Sequence, residues 1–153
     1  MPRDLSSIIR ATRGLAPVAA TTDNTAYVSQ ICDCQNFDSS LFVGILGSIA
    51  DADVTFTVLV EDGDSATLTD NAAVDDLYLI GVEAGTVTAG AAVTGAAPGY
   101  ADDNKVFKIG YKGLKRYVRV TITPAANGTT LYLAGVWIQG HPRSLPQTTQ
   151  VTA

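Results

Sequence analysis

Residues 117–123 alternate between two kinds of side chain, and this two-residue period constrains the fold more than any other feature of the chain. Val118, Val120 and Ile122 would lie on one face of the segment, and Arg119 and Thr121 on the other. Successive side chains of a β-strand point to opposite faces of the sheet. The pattern therefore indicates a strand with one buried face, which a helix would not produce.

Residues 54–61 show the same period, because apolar Val54, Phe56, Val58 and Val60 alternate with a second set of side chains: Thr55, Thr57, Leu59 and Glu61. Turn-forming residues separate several other apolar runs. We predict further strands at residues 27–34, 41–47, 77–82, 106–111 and 130–140, and a weak edge strand at 86–88 within a surface excursion at 84–104. We expect the strand at 77–82 to be buried and the last strand, bulky on both faces, to be central and covered on both sides.

The link between the last two predicted strands contains Asn127-Gly128, a pair that tolerates the positive φ angles of tight turns. We therefore predict a hairpin at residues 124–128.

These short strands, with no convincing helix of ten residues, predict an all-β fold: an antiparallel two-sheet sandwich, with a closed barrel as the main competitor. The 153 residues suit one domain. We place the sandwich at residues 25–140, between extended arms at 1–24 and 141–153. Leu5, Ile8 and Ile9 could add one helical turn to the first arm.

Charge is segregated along the chain. Residues 14–104 carry fourteen Asp and Glu and no Lys or Arg, whereas residues 105–153 carry seven Lys and Arg and no acid. Such blocks can steer association, or they can neutralise each other within one folded subunit. The net charge of -5 argues against a non-specific nucleic-acid binder.

The N-terminal segment lacks the apolar core of a signal peptide, because Arg10 and Arg13 follow Ile9 closely. No run approaches the length that spans a bilayer. We expect an intracellular product that is not inserted into a membrane.

Catalysis has little support, since the single histidine, His141, lies between Gly140 and Pro142 with no recognisable nucleophile beside it. We expect a protein that is not an enzyme and needs no cofactor. Cys32 and Cys34 are predicted to be reduced thiols, because the ring that a disulfide would close is very small. They lack the further ligands that a zinc site needs.

Calcium binding by acidic loops is a minority alternative, although no twelve-residue calcium loop is present. The acidic residues concerned are Asp51, Asp53, Glu61, Asp62, Asp64, Asp102 and Asp103.

Aromatic side chains allow a second alternative, a carbohydrate-binding or host-adhesion module. Trp137 with Tyr132, or Tyr111 with Tyr117, could form a sugar platform. In strands of this pattern such rings more often lie in the core or in a subunit interface.

Two motifs near the C-terminus carry a family resemblance. Residues 113–120 read G-L-K-R-Y-V-R-V, and residues 140–143 read G-H-P-R. Together they resemble a family of small tailed-bacteriophage proteins that have a G-x-K-R-Y-V-R-V strand and end with G-H-P-R. Residues 51–64, a strand and an acidic turn, also resemble the family. The Cys32 and Cys34 pair and an Ala/Gly/Thr-rich insertion near 84–100 depart from it.

The resemblance implies a capsid cement, or decoration, protein with a jelly-roll-like sandwich. Such a protein would assemble in the bacterial cytoplasm, bind the outer capsid surface of the virion and clamp adjacent capsomers. Its partners would be the major capsid protein and further copies of itself, with neither nucleic acid nor membrane involved. The candidate partner-binding residues are Lys112, Lys115, Arg116, Arg119, His141 and Arg143. A basic turn that is merely solvated is the alternative interpretation.

Overall fold

A computed structural model describes residues 4–17, 22–80, 102–145 and 147. Within these ranges, the regular structure is ten β-strands and one short 3-10 helix at Asp76–Tyr78. The strands are β1 (Ile9–Leu15), β2 (Tyr27–Val28), β3 (Cys32–Asp33), β4 (Phe37–Ile49), β5 (Thr55–Gly63), β6 (Ala72–Ala73), β7 (Leu79–Ile80), β8 (Val106–Tyr111), β9 (Tyr117–Ala125) and β10 (Leu131–Pro142).

The strands form two antiparallel sheets packed face to face. The first sheet has the order β1-β10-β4-β8-β7; the second has the order β2-β9-β5-β6, with β3 also paired to β9. If the short strands β3 and β7 are set aside and the other eight are numbered in sequence, the orders become 1-8-3-6 and 2-7-4-5. This is the strand order of a jelly roll. The predicted all-β sandwich is confirmed.

The core lies between the inner faces of the two sheets. Val118, Val120 and Ile122 of β9 are fully buried, as their alternation predicts. From the first sheet, Phe42 and Trp137 meet edge to face with ring centroids 5.2 Å apart. The indole nitrogen of Trp137 donates to the carbonyl oxygen of Gln30 at 3.1 Å, so this buried polar atom is satisfied.

The N-terminal region contributes more to the sandwich than an arm would. Ile9–Leu15 is strand β1, which pairs with β10 from Ile9 opposite Gly140 to Leu15 opposite Gly135. Pairing to β10 satisfies backbone groups on one side of this segment. At the other end of the chain, β10 continues into the predicted C-terminal arm as far as Pro142, which lies opposite Phe37.

The predicted hairpin at residues 124–128 is wrong. β9 and β10 belong to different sheets, so the link between them crosses from one sheet to the other. Ala126 takes the positive φ of 57°. Asn127 is buried and acts as a tether: its side-chain amide donates to the carbonyl oxygen of Asp23 at 2.8 Å.

Other elements differ in detail from the prediction. Of the strand expected at 77–82, the described residues 77–80 form the end of the 3-10 helix and β7, and they are not buried, since Leu77 is 67% exposed and Ile80 is 56% exposed. The segment 27–34 forms two short strands, because the Ser29 hydroxyl, rather than a backbone carbonyl, accepts from the Val120 amide. β10 is central, but Tyr132 on its outer face is 47% exposed. The predicted edge strand at 86–88 lies outside the described residues.

The buried face of β9 gives a direct test of the core. We expect Ile122→Ala to lower the free energy of unfolding by about 2–4 kcal/mol, because a fully buried aliphatic side chain leaves a cavity. The control Thr123→Ala, on the exposed face of the same strand, should change it by less than about 1 kcal/mol. Chemical denaturation measures both variants, and equal losses would contradict the assigned faces of β9.

Candidate partner-binding site

The basic loop at residues 112–116 connects β8 in the first sheet to β9 in the second, and a backbone hydrogen bond holds each of its ends. The Lys112 amide donates to the carbonyl oxygen of Tyr78 at 2.9 Å, and the Cys34 amide donates to that of Arg116 at 2.8 Å. Both ends of the loop are therefore fixed, and its side chains project from a defined backbone.

Tyr111 supports the middle of this loop. Its hydroxyl donates to the Asp62 carboxylate at 2.7 Å and accepts from the Lys115 amide at 3.2 Å. Burial first, and then the hydrogen bond to Asp62, raise the pKa of the Tyr111 phenol, so it remains a donor at neutral pH. Gly113 packs so closely on the ring that an added Cβ would lie 2.4 Å from it. Only glycine fits there without displacement of the ring.

Two cations of the loop are paired with acids of the same chain. Lys115 contacts Asp64, and Arg116 donates to Asp33 through Nε at 3.0 Å and Nη2 at 2.8 Å. The Arg116 guanidinium also lies over the Tyr117 ring at 4.8 Å. The hydrogen bond from Arg116 holds the pKa of the Asp33 carboxyl below its usual value. These pairs neutralise much of the charge that the sequence places in this loop.

Arg119 lies apart from the loop. It is directly opposite Glu61 in the β5–β9 ladder and donates to Glu61 Oε2 through Nη2 at 2.7 Å. This is the most buried of the observed ion pairs, with side chains 26% and 13% exposed. β9 is an inner strand of its sheet, so Arg119 is not displayed from a sheet edge.

The G-H-P-R segment closes the end of β10 against the turn before β4. His141 has φ of 53°, and its ring nitrogen Nδ1 lies 2.9 Å from the Ser39 hydroxyl. The Arg143 amide donates to the carbonyl oxygen of Asn36 at 2.9 Å. Arg143 is mostly exposed, with a long contact of 3.5 Å to Asp38. The motif therefore has a structural role in addition to the charge it presents.

The two motifs meet at one open cleft of about 500 Å³. Residues 34–40 form one wall and residues 111–116 the other, with Asp64 and Arg143 also contributing to the lining. Four of the six predicted partner-binding residues line it: Lys112, Lys115, Arg116 and Arg143. His141 adjoins the cleft through Ser39, whereas Arg119 lies elsewhere.

Two side chains that line the cleft, Lys112 and Leu114, are exposed and available to a partner. Leu114 is 91% exposed at the tip of the loop. Lys112 is exposed, and no ion pair in the described part of the chain includes it. The cleft carries four cationic side chains against the carboxylates of Asp38 and Asp64, with Asp33 beside it. Its surface is weakly cationic with an apolar tip.

Several of the acidic residues considered for calcium accept hydrogen bonds from within the chain. Asp51 accepts from the amides of Asp53 and Gly128, and Asp103 accepts from that of Ile49. Across residues 4–17, 22–80, 102–145 and 147, no three His, Cys, Asp or Glu side chains are grouped to hold a metal ion.

The aromatic pairs do not form exposed platforms. Trp137 is 1% exposed on the inner face of β10, whereas Tyr132 lies on the opposite face. Tyr111 is buried, and Tyr117 lies beneath Arg116.

Cys32 is buried, Cys34 is partly buried, and both are free. Among the described residues, no helix has the length and apolar character that crossing a membrane requires.

A polar network next to the cleft was not predicted from the sequence. Arg10 of β1 donates to the side-chain oxygen of Gln139 and to the carbonyl oxygen of Asp33, and lies over the Phe37 ring at 4.4 Å. Gln139 is fully buried and also donates to the Asp33 carbonyl at 2.8 Å. Gln139 stands two residues after Trp137 on a core-facing position. A polar residue there was the available signal, because buried amides need partners.

No family model matches the chain, and no curated protein sequence matches it.

The Arg116–Asp33 pair predicts a pH dependence. The folded-state pKa of Asp33 is lowered, so its contribution to stability is present above about pH 4 and is lost as pH falls through the folded pKa. We expect Asp33→Asn to be less stable than the natural protein at pH 7, with the difference narrowing below about pH 4. Denaturation curves at pH 7 and pH 3 measure this. A difference that stays constant would contradict the assigned pair.

The Arg119–Glu61 pair predicts a measurable loss of stability on truncation. We expect Arg119→Ala to lower the free energy of unfolding by about 1–2 kcal/mol, because it leaves the half-buried Glu61 without its charged donor. The charge reversal Glu61→Arg with Arg119→Glu should recover part of this loss.

Lys105→Ala is the matched control for this loss, since it removes the more exposed ion pair with Asp102. Urea denaturation should give less than about 0.5 kcal/mol for it. Equal losses for Lys105→Ala and Arg119→Ala would show that burial does not set the strength of these pairs.

Proposed function

We propose that this protein is a structural virion component that binds the outside of a tailed-phage capsid and clamps adjacent capsomers. The observation that carries the proposal is the meeting of the two family-like motifs at one cleft. Residues 113–116 and Arg143, which are distant in sequence, line the same surface, and Leu114 and Lys112 protrude there. The jelly-roll fold is compatible with this role, since capsid and lectin domains both use it.

The cleft suits a partner surface that is acidic and has a small apolar recess. Leu114 would enter the recess. Lys112, which forms no ion pair with Asp38 or Asp64 of the cleft, would meet a carboxylate of the partner. The fixed backbone of the loop reduces the ordering cost of binding. The paired cations Lys115, Arg116 and Arg143 would mainly set register and exclude a basic partner.

Binding to shells of the cognate capsid, measured by co-sedimentation, tests the cleft. We expect Lys112→Glu and Leu114→Asp each to weaken binding at least about tenfold, because one places an acid against an acidic partner and the other abolishes the apolar anchor. The control Lys105→Glu makes the same charge change near the opposite end of β8 and should bind like the natural protein. Added salt should reduce the effect of Lys112→Glu and leave that of Leu114→Asp.

Virion composition and particle stability test the role itself. The protein should be present in purified particles in numbers comparable to the major capsid protein, and particles without it should release DNA at a lower temperature. Its absence from mature particles, or unchanged shell stability on its removal, would contradict the proposal. Binding to a glycan array through Tyr132, with no binding to shells, would favour the adhesion alternative.

A further inference from the structure

The Cys32 and Cys34 pair, which departs from the family resemblance, lies against the cleft, and the proposed function makes no use of it. Cys34 is partly buried and lines the wall that residues 34–40 form. Cys32 is 3% exposed and packs in the core between the sheets. Both thiols are free. One thiol therefore faces any small molecule that enters the cleft, and the other is buried.

Three neighbouring groups stabilise negative charge on the Cys34 sulfur. The Ser40 hydroxyl donates to it at 3.3 Å, and the Cys32 thiol donates to it as well. Arg10 donates to the carbonyl oxygen of Asp33, the residue between the two cysteines, so its guanidinium lies beside both thiols. Hydrogen-bond donors and a nearby cation favour the thiolate over the thiol, and the thiolate is the nucleophile.

The two thiols differ in their proton affinity. The pKa of Cys34 is lowered, above all by the hydrogen bond from Cys32 and also by the hydroxyl and the guanidinium. Burial and the carboxylate of Asp33 act in the opposite direction, but Asp33 is already paired with Arg116. The hydrogen bond to Cys34 and burial raise the pKa of Cys32, which stays a thiol. The pair therefore contains one nucleophile and one hydrogen-bond donor.

The cleft beside Cys34 has the size and the charge for a small anionic molecule. Its volume of about 500 Å³ is typical of small-molecule sites. Its charged lining consists of two carboxylates, with Asp33 beside them, and a larger number of cations: Asp38 and Asp64 against Lys112, Lys115, Arg116 and Arg143. The whole chain carries a net charge of -5, so attraction of an anion to Cys34 would come from these local cations and not from the protein as a whole.

We propose that Cys34 is a modification site, at which an anionic low-molecular-weight disulfide enters the cleft and S-thiolates the chain. The Cys34 thiolate attacks one sulfur of the disulfide, and a new S–S bond forms as the original S–S bond breaks. The other half of the disulfide leaves as a thiolate, so its sulfur is reduced as that of Cys34 is oxidised. The proton that Cys34 carried as a thiol passes to solvent. Cys32 is a buried thiol and does not attack the adduct, so the mixed disulfide persists.

The reaction is independent of the proposed function, because it involves one thiol and one small molecule. An adduct on Cys34 would occupy the surface that the proposed function gives to the capsid partner. The reaction itself needs no partner. It is therefore measured on the purified chain alone, and its outcome does not depend on shell binding.

Dithiobis(nitrobenzoate), an anionic aromatic disulfide with a coloured leaving thiolate, counts the reactive thiols. We expect one equivalent from the folded chain and two from the chain unfolded in urea, which exposes both cysteines. Cys34→Ala should abolish the reaction of the folded chain. Cys32→Ala should keep one equivalent but react at least about threefold more slowly at pH 7, because Cys34 loses its principal hydrogen-bond donor.

The charge selectivity of the reaction tests the cleft. Uncharged dithiodipyridine reacts with thiols by the same step, so the ratio of the rate constants for the two reagents reports the charge around Cys34. We expect Lys112→Glu to lower the preference for the anionic reagent at least about threefold. The control Lys105→Glu makes the same charge change near the opposite end of β8 and should leave the ratio unchanged.

Circular dichroism checks that each variant is folded, and mass spectrometry of the digested natural chain locates the adduct even if Cys34→Ala does not fold. An adduct on Cys34 is the expected result. No release from the folded chain would overturn the proposal, as would release of two equivalents or an adduct on Cys32. A reagent ratio that Lys112→Glu leaves unchanged would also overturn it, because the cleft would then not select an anion.

Discussion

The antiparallel register between β5 and β9 is the constraint on which both the second sheet and the cleft depend. It places Glu61 opposite Arg119 and Gly63 opposite Tyr117. The acidic turn that follows β5 therefore lies beside the basic loop that precedes β9, and Asp64 contacts Lys115. Blocks of opposite charge that are far apart in sequence become neighbours in this way. Many of the acidic and basic side chains therefore pair within one subunit, and little unpaired charge remains for long-range steering of a partner.

The jelly-roll connectivity explains why the two motifs converge. The chain crosses between the sheets after β8 and again after β9, so β8 and β10 lie in one sheet with β4 between them. The loop after β8 and the end of β10 therefore reach the same end of the sandwich, next to the turn before β4. Each crossing needs a polar anchor, because the backbone leaves one ladder before it joins the next. Tyr111 with Asp62 anchors the first crossing, and Asn127 with Asp23 anchors the second.

The sequence predicts best the strands whose burial is one-sided. β5, β8, β9 and β10 were located from alternation or apolar runs, because a half-buried strand imposes its period on the side chains. β1 was not found, since Arg10 and Arg13 interrupt its pattern and its partners on β10 are not local. The hairpin prediction is wrong for a related reason. Asn127-Gly128 indicates a turn, but a turn motif does not determine which sheet the next strand joins.

The candidate site was predicted only in its basic half. Lys112, Lys115, Arg116 and Arg143 stood out because they lie in recognisable motifs, and the structure brings them to one cleft. Their partners Asp33, Asp38 and Asp64 are fixed by strand register and by loops distant in sequence. No local pattern encodes such pairs.

Internal pairing changes what the cleft can contribute to binding. A partner carboxylate that approaches Arg116 must compete with Asp33, which already accepts two hydrogen bonds from the guanidinium. Exchange of one carboxylate for another gains little free energy, so the paired cations contribute specificity more than affinity. Under the proposed function, affinity would then come from Leu114 and Lys112, neither of which takes part in an ion pair among the described residues. The rigid loop would thus act as a small anchor, and repetition over a capsid surface would supply the remaining strength.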